Sequence, residues 1–150
     1  MDIKHKYRTV AGWTSGQTGS VKHDSSPDAI QFTAPPEFGG LGGYWTPEHL
    51  LLAALASCFT ATFRAVAGYS KLEYNDLQVE VEGTVSKVES GYGFSDIIFR
   101  PLLNIDHEAK RDRALNLLQK AKAACLVSKA LATAPIMESR VEVGSALSVG

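Results

Sequence analysis

Cysteine is scarce in this chain: there are two, Cys58 and Cys125, and no Cys-x-x-Cys pair. The four histidines, His5, His23, His49 and His107, lie apart in dissimilar polar contexts. A protein-bound metal usually gathers about four ligands at short spacing, so no metal centre is read here. The opening stretch, Met1-Asp2-Ile3-Lys4-His5-Lys6-Tyr7, has no apolar run, and no signal peptide is expected. Positive charge is not clustered: 15 Lys and Arg oppose 16 Asp and Glu, for a net charge of −1. Without a basic stripe, a nucleic-acid surface is not expected. The longest apolar segment, residues 50–67, is interrupted by Ser57, Thr60, Thr62 and Arg64. Its length is near the lower limit for a bilayer span, so it reads as a buried core helix, not a membrane anchor. Internal repeats and low-complexity tracts are absent. Together these features suggest a cytoplasmic protein, where a persistent structural disulfide is not expected.

The 150 residues suit one domain, residues 1–150, with enough apolar content to bury a core. Residues 3–13 alternate like a strand. Ser15-Gly16-Gln17-Thr18-Gly19 reads as a turn, followed by short strands near 20–24 and 29–33. Residues 34–43 concentrate glycine and proline and predict a loop. Thr46-Pro47-Glu48 then opens a helix: threonine as cap, proline at the first helical position, glutamate at the positive dipole end. This helix should run to Gly68 as its C-cap and be buried on most faces. Residues 77–88 alternate as a strand, residues 91–93 turn, and residues 94–105 form its antiparallel mate, with Pro101 marking an edge or bulge. Asp106 should cap a helix with Ala114, Leu115, Leu117, Leu118 and Ala121 on its inner face. Cys125 falls at or just past the end of that helix. A short helix over residues 127–132 and a strand over 139–147 follow. The order predicts an α+β domain. One small sheet covers such a long apolar helix poorly, which points to a two-fold homodimer.

The thiols admit two readings. A free cysteine often packs as a small hydrophobe, and Glu48 serves equally as an ordinary helix-start charge. A reactive thiol instead needs a neighbouring charge or donor to become thiolate. Ten residues of helix rise about 15 Å, so Glu48 and Cys58 of one helix cannot share a first contact shell. If both belong to one site, the other subunit supplies one of them or a further group bridges them.

Three stretches carry a resemblance: Phe38-Gly39-Gly40-Leu41-Gly42-Gly43, the run from Thr46-Pro47-Glu48 to Ala56-Ser57-Cys58-Phe59, and Ala121-Lys122-Ala123-Ala124-Cys125. In these, and in element order along the chain, the sequence resembles the OsmC/Ohr family of osmotically inducible and organic hydroperoxide resistance proteins. The resemblance implies an OsmC-like α+β fold, with antiparallel sheets around a long buried central helix and an intertwined homodimer. It also implies a peroxidase without metal or other cofactor. Cys58 would attack an organic hydroperoxide, and Cys125 would resolve the sulfenic acid as a disulfide. A dithiol would then reduce it, with lipoylated proteins as the favoured reductants in one branch. Glu48 matches a family acid that orients an active-site arginine.

That arginine is missing. Where peroxidase branches show Gly-Arg-x-Gly, this chain has Gly16-Gln17-Thr18-Gly19, so the neutral Gln17 stands in its place. No arginine occurs between Arg8 and Arg64, and Arg64 lies about 600° around the helix from Cys58. Lys22 or another subunit's arginine remains as a substitute. Two further functions stay open for a family member lacking this charge: a non-enzymatic dimeric module binding small apolar molecules or lipids, and a redox sensor.

Overall fold

The computed structural model describes residues 3–144. They divide into two compact units at the Leu51–Leu52 bond. The first unit holds a three-stranded antiparallel sheet of β1 (Val10–Ser15), β2 (Thr18–Lys22) and β3 (Ile30–Phe32), in that order. Ser15 pairs with Thr18, leaving the tight turn to Gly16 and Gln17, with Gly16 at φ 53°. The expected strand over residues 3–13 is therefore shorter and later, and residues 3–9 lie outside any strand. Gly19 is required by packing: a Cβ there would sit 2.6 Å from the Phe32 ring.

The loop predicted over residues 34–43 is present, with one 3-10 turn at Pro36–Phe38. Gly40 presses on the Ala34 carbonyl so closely that no side chain would fit. Buried Thr33 ties this unit together: its hydroxyl donates to the Gln17 carbonyl at 2.9 Å and accepts from the Leu41 N–H at 3.1 Å.

Helix α1 (Pro47–Tyr69) starts as its sequence dictates. The His49 N–H donates to the Thr46 hydroxyl at 3.1 Å, satisfying one of the unpaired N–H groups of a helix start. Its end differs from expectation. Gly68 is helical, and the left-handed residue is Lys71 at φ 55°. Leu72 N–H reaches the Ala67 carbonyl at 2.9 Å and Lys71 N–H the Gly68 carbonyl at 3.2 Å, a Schellman closure with lysine where glycine usually sits. The burial expected on most faces is also narrower. Leu55, Phe59, Phe63 and Ala67, spaced by four, are the buried stripe. By length and composition α1 is apolar enough to cross a membrane, but this stripe packs into a protein core.

In the second unit β4 (Asp76–Val88) and β5 (Gly91–Ile105) form a long hairpin, with Val88 paired to Gly91. The turn is thus Glu89–Ser90, and the Gly91–Gly93 stretch belongs to the strand. Two short strands, β6 (Ile136–Met137) and β7 (Arg140–Val143), add to β5 in parallel, so this sheet is mixed and not purely antiparallel. The part of the expected last strand beyond residue 144 lies outside the described residues.

Pro101 sits inside this sheet, neither on an edge nor at a bulge; the register shift falls at Thr84/Val85. The Phe99 carbonyl accepts from the Glu138 N–H, so alternate residues of β5 direct their backbone groups toward β6 and β7. Pro101 shares that direction and faces the break between the two short strands. Its missing N–H therefore falls where the ladder is already interrupted.

Helix α2 (Arg111–Ala124) begins later than expected, after a 3-10 turn at Glu108–Lys110. Asp106 does not cap it; its carboxylate pairs with Lys110 Nζ at 2.9 Å. The helix predicted over residues 127–132 is a single 3-10 turn, Ser128–Ala130. Ala114, Leu117, Leu118 and Ala121 of α2 join the α1 stripe and Ile97, Phe99, Leu103 and Ile105 of β5 in one core. The Phe59 and Phe99 rings lie 5.4 Å apart, fixing the buried face of α1 against the sheet.

Candidate functional site

The second unit brings the two thiols together. Cys58 is half-buried on α1, one residue before the Phe59 that anchors the helix. Cys125 is fully buried at the end of α2, in an extended conformation that stops the helix. Both are free, and the Cys125 thiol is among the groups that favour ionisation of Cys58. Helices α1 and α2 share one core, and Cys125 falls four residues past Ala121, in line with the buried face of α2.

Burial works against ionisation of Cys58. Against it act the Val127 N–H, the Cys125 thiol, the Thr62 hydroxyl and the Leu126 N–H, in falling order, and the net effect holds the thiol below its ordinary pKa. All four are neutral donors. The Thr62 oxygen lies 4.0 Å from Cys58 Sγ, one helical turn along α1. Leu126, next to Cys125 in the chain, exposes most of its side chain (73%).

Among the described residues, no arginine figures among the groups acting on the Cys58 thiol. Arg100 bonds Glu80, Glu82 and Glu138 at 3.0, 3.1 and 3.0 Å. It alternates with Phe99, and so projects from the sheet face opposite the one α1 covers. Arg64 lines an open groove of about 500 Å³ with Ala61, Ala65, Gly68 and Tyr69. Gln17 is exposed on the β1–β2 turn, and its amide donates to the Gly39 carbonyl at 2.6 Å. One of its donors thus braces the glycine loop. Glu48, in the first turn of α1, has a buried Oε1 with no hydrogen-bond partner among the described residues, an arrangement that costs free energy unless a donor arrives.

Sequence reasoning singled out Cys58 and Cys125 but not Thr62, Leu126 and Val127, which act on the Cys58 thiol. Thr62 was within reach, since a position four residues on shares a helix face. The two N–H groups carried no signal, because every residue but proline has one.

With this geometry the chain belongs to the OsmC-like protein family, whose family model matches residues 40–140. It is 31% identical over 130 residues to an uncharacterized protein, YmaD, of Bacillus subtilis, covering 85% of this chain and 87% of that one. Among solved structures, an OsmC-like protein of unknown function from Vibrio cholerae superposes with a TM-score of 0.80 at 15% identity, over 91% of this chain and 99% of that chain. An organic hydroperoxide resistance protein, OsmC, from Legionella pneumophila gives 0.73 at 26% identity, over 93% and 100%.

Proposed function

We propose that the protein is a thiol peroxidase that reduces organic hydroperoxides. The observation that carries this reading is a half-buried Cys58 whose thiol is held below its ordinary pKa, with the buried Cys125 thiol among the groups that lower it. The Cys58 thiolate attacks the distal peroxide oxygen; the S–O bond forms, the O–O bond breaks, and the leaving alkoxide takes a proton to become alcohol. The Cys125 sulfur then displaces water from the sulfenic acid, giving the Cys58–Cys125 disulfide. An external dithiol, a lipoylated protein in this reading, returns both sulfurs to thiols.

A homodimer belongs to the same proposal. The face of α1 bearing Ala61, Ala65 and Gly68 is small, apolar and uncovered, and a second copy would bury it.

Hydroperoxide consumption with dihydrolipoamide as reductant tests the reading. Turnover of tert-butyl or cumene hydroperoxide is expected, with loss of essentially all of it in Cys58→Ser. Equal consumption by Cys58→Ser and the unaltered protein would refute it.

A further inference from the structure

Three hydroxyl side chains lie close to Cys58 along α1: Ser57, Thr60 and Thr62. Two of them are spent on the helix itself. Ser57 Oγ donates to the Ala54 carbonyl at 3.1 Å and Thr60 Oγ1 to the Ala56 carbonyl at 2.8 Å, the back-bonding usual for such residues inside a helix. Thr62 departs from this pattern. Its hydroxyl meets Cys58 Sγ at 4.0 Å, and that sulfur is its one hydrogen-bond partner among the described residues. The contact is long and weak while Cys58 is a thiol, a poor donor and a poor acceptor.

Packing keeps the two side chains together. Each stands one residue before a fully buried phenylalanine, Cys58 before Phe59 and Thr62 before Phe63. With both rings held in the core the rotation of α1 is fixed, and positions four apart share a face. Both residues are half-buried, so water competes less for the hydroxyl than on an open surface. Ionisation changes the contact. In the neutral pair either group can donate, but a thiolate has no hydrogen, so only the hydroxyl can. A bond to a charged acceptor is shorter and about twice as strong as a neutral one. The pair therefore favours the charged form of the sulfur, and Thr62 is among the groups that lower the Cys58 pKa.

We propose that Thr62 is a catalytic residue of this site, its hydroxyl donating to the Cys58 sulfur and holding it as the thiolate that attacks. The proposal rests on the peroxidase reading for its purpose, but the thiolate can be measured without any peroxide. The donor raises the share of thiolate at neutral pH more than it lowers the nucleophilicity of each thiolate, because nucleophilicity follows only about half of a change in pKa. Once the S–O bond has formed the sulfur no longer carries its charge, and the hydroxyl is released.

The test is the pH dependence of Cys58 alkylation by iodoacetamide, followed by peptide mass so that Cys125 is read separately. Thr62→Val keeps the branched shape and removes the donor, and its midpoint should rise by about 0.5–1 pH unit. Well below both midpoints, alkylation should slow by about two- to fourfold, since the less acidic thiol gives a stronger nucleophile. Thr62→Ala, which also lacks the donor but has a smaller side chain, should shift the midpoint the same way. Thr62→Ser keeps the hydroxyl and should restore it. Thr60→Val removes a hydroxyl bound to the Ala56 carbonyl and should leave the midpoint unchanged. Unchanged midpoints in both Thr62→Val and Thr62→Ala would overturn the proposal, as would a shift that Thr62→Ser shares in full or Thr60→Val reproduces. Shifted midpoints in a protein that reduces no hydroperoxide would uphold the Thr62 donor and sink the peroxidase reading alone. Hydroperoxide turnover with unchanged midpoints would do the reverse.

Discussion

Cys58 shows how neutral donors activate a thiol: four of them together outweigh its partial burial. Because its pKa is lowered, the thiolate persists below the usual cysteine range and is lost only as pH falls through the lowered value. Alkylation of Cys58 in the native protein should accordingly reach half its maximum at a lower pH than in a short peptide of the same sequence. Coincident midpoints would contradict the donor set. Cys125→Ser retains a hydroxyl donor but removes the resolving sulfur, so hydroperoxide should leave Cys58 with one added oxygen in the intact mass. Legibility at this scale followed residue chemistry. The two thiols and the Thr46 cap announce themselves through side chains. The Leu126 and Val127 donors do not, because they are backbone groups that side-chain identity does not encode.

At the scale of elements, α1 and β5 carry the stability of the second unit. Phe59→Ala removes a fully buried ring stacked near Phe99 and should cost about 3–5 kcal/mol in denaturant unfolding. Lys71→Gly should instead stabilise by about 1 kcal/mol, since Lys71 holds a left-handed conformation that glycine adopts freely. A loss of stability in Lys71→Gly would show that the lysine side chain matters more than its backbone strain. Element order and type were readable from alternation and helical period, but ends were not. Gly68 had the composition of a cap while the chain continued to Lys71, and Asp106 found Lys110 before it found a helix end. Pro101 suggested an edge because its lost N–H has a cost in a continuous ladder. The break between β6 and β7, created far along the chain, removed that cost.

For the molecule as a whole, the feature that most needs explaining is the uncovered face of α1, with Tyr69 91% exposed at its end. The sequence showed more apolar helix than one sheet can cover, and the structure locates the excess on the Ala61–Gly68 side. Light scattering should give twice the chain mass in solution, and Ala61→Glu should give a monomer with unchanged helical circular dichroism. A monomeric unaltered protein would remove the dimer from the proposal while leaving the thiol pair intact. The fold was thus open to reading from one chain, whereas what covers the outer face of α1 was not. The chemistry itself rests on the sulfur pair, and disulfide mapping addresses it most directly. After brief exposure to one equivalent of an alkyl hydroperoxide at neutral pH, each subunit should lose two hydrogens and yield a single crosslinked peptide joining Cys58 to Cys125. Two thiols still free after that exposure, with no change in mass, would contradict it.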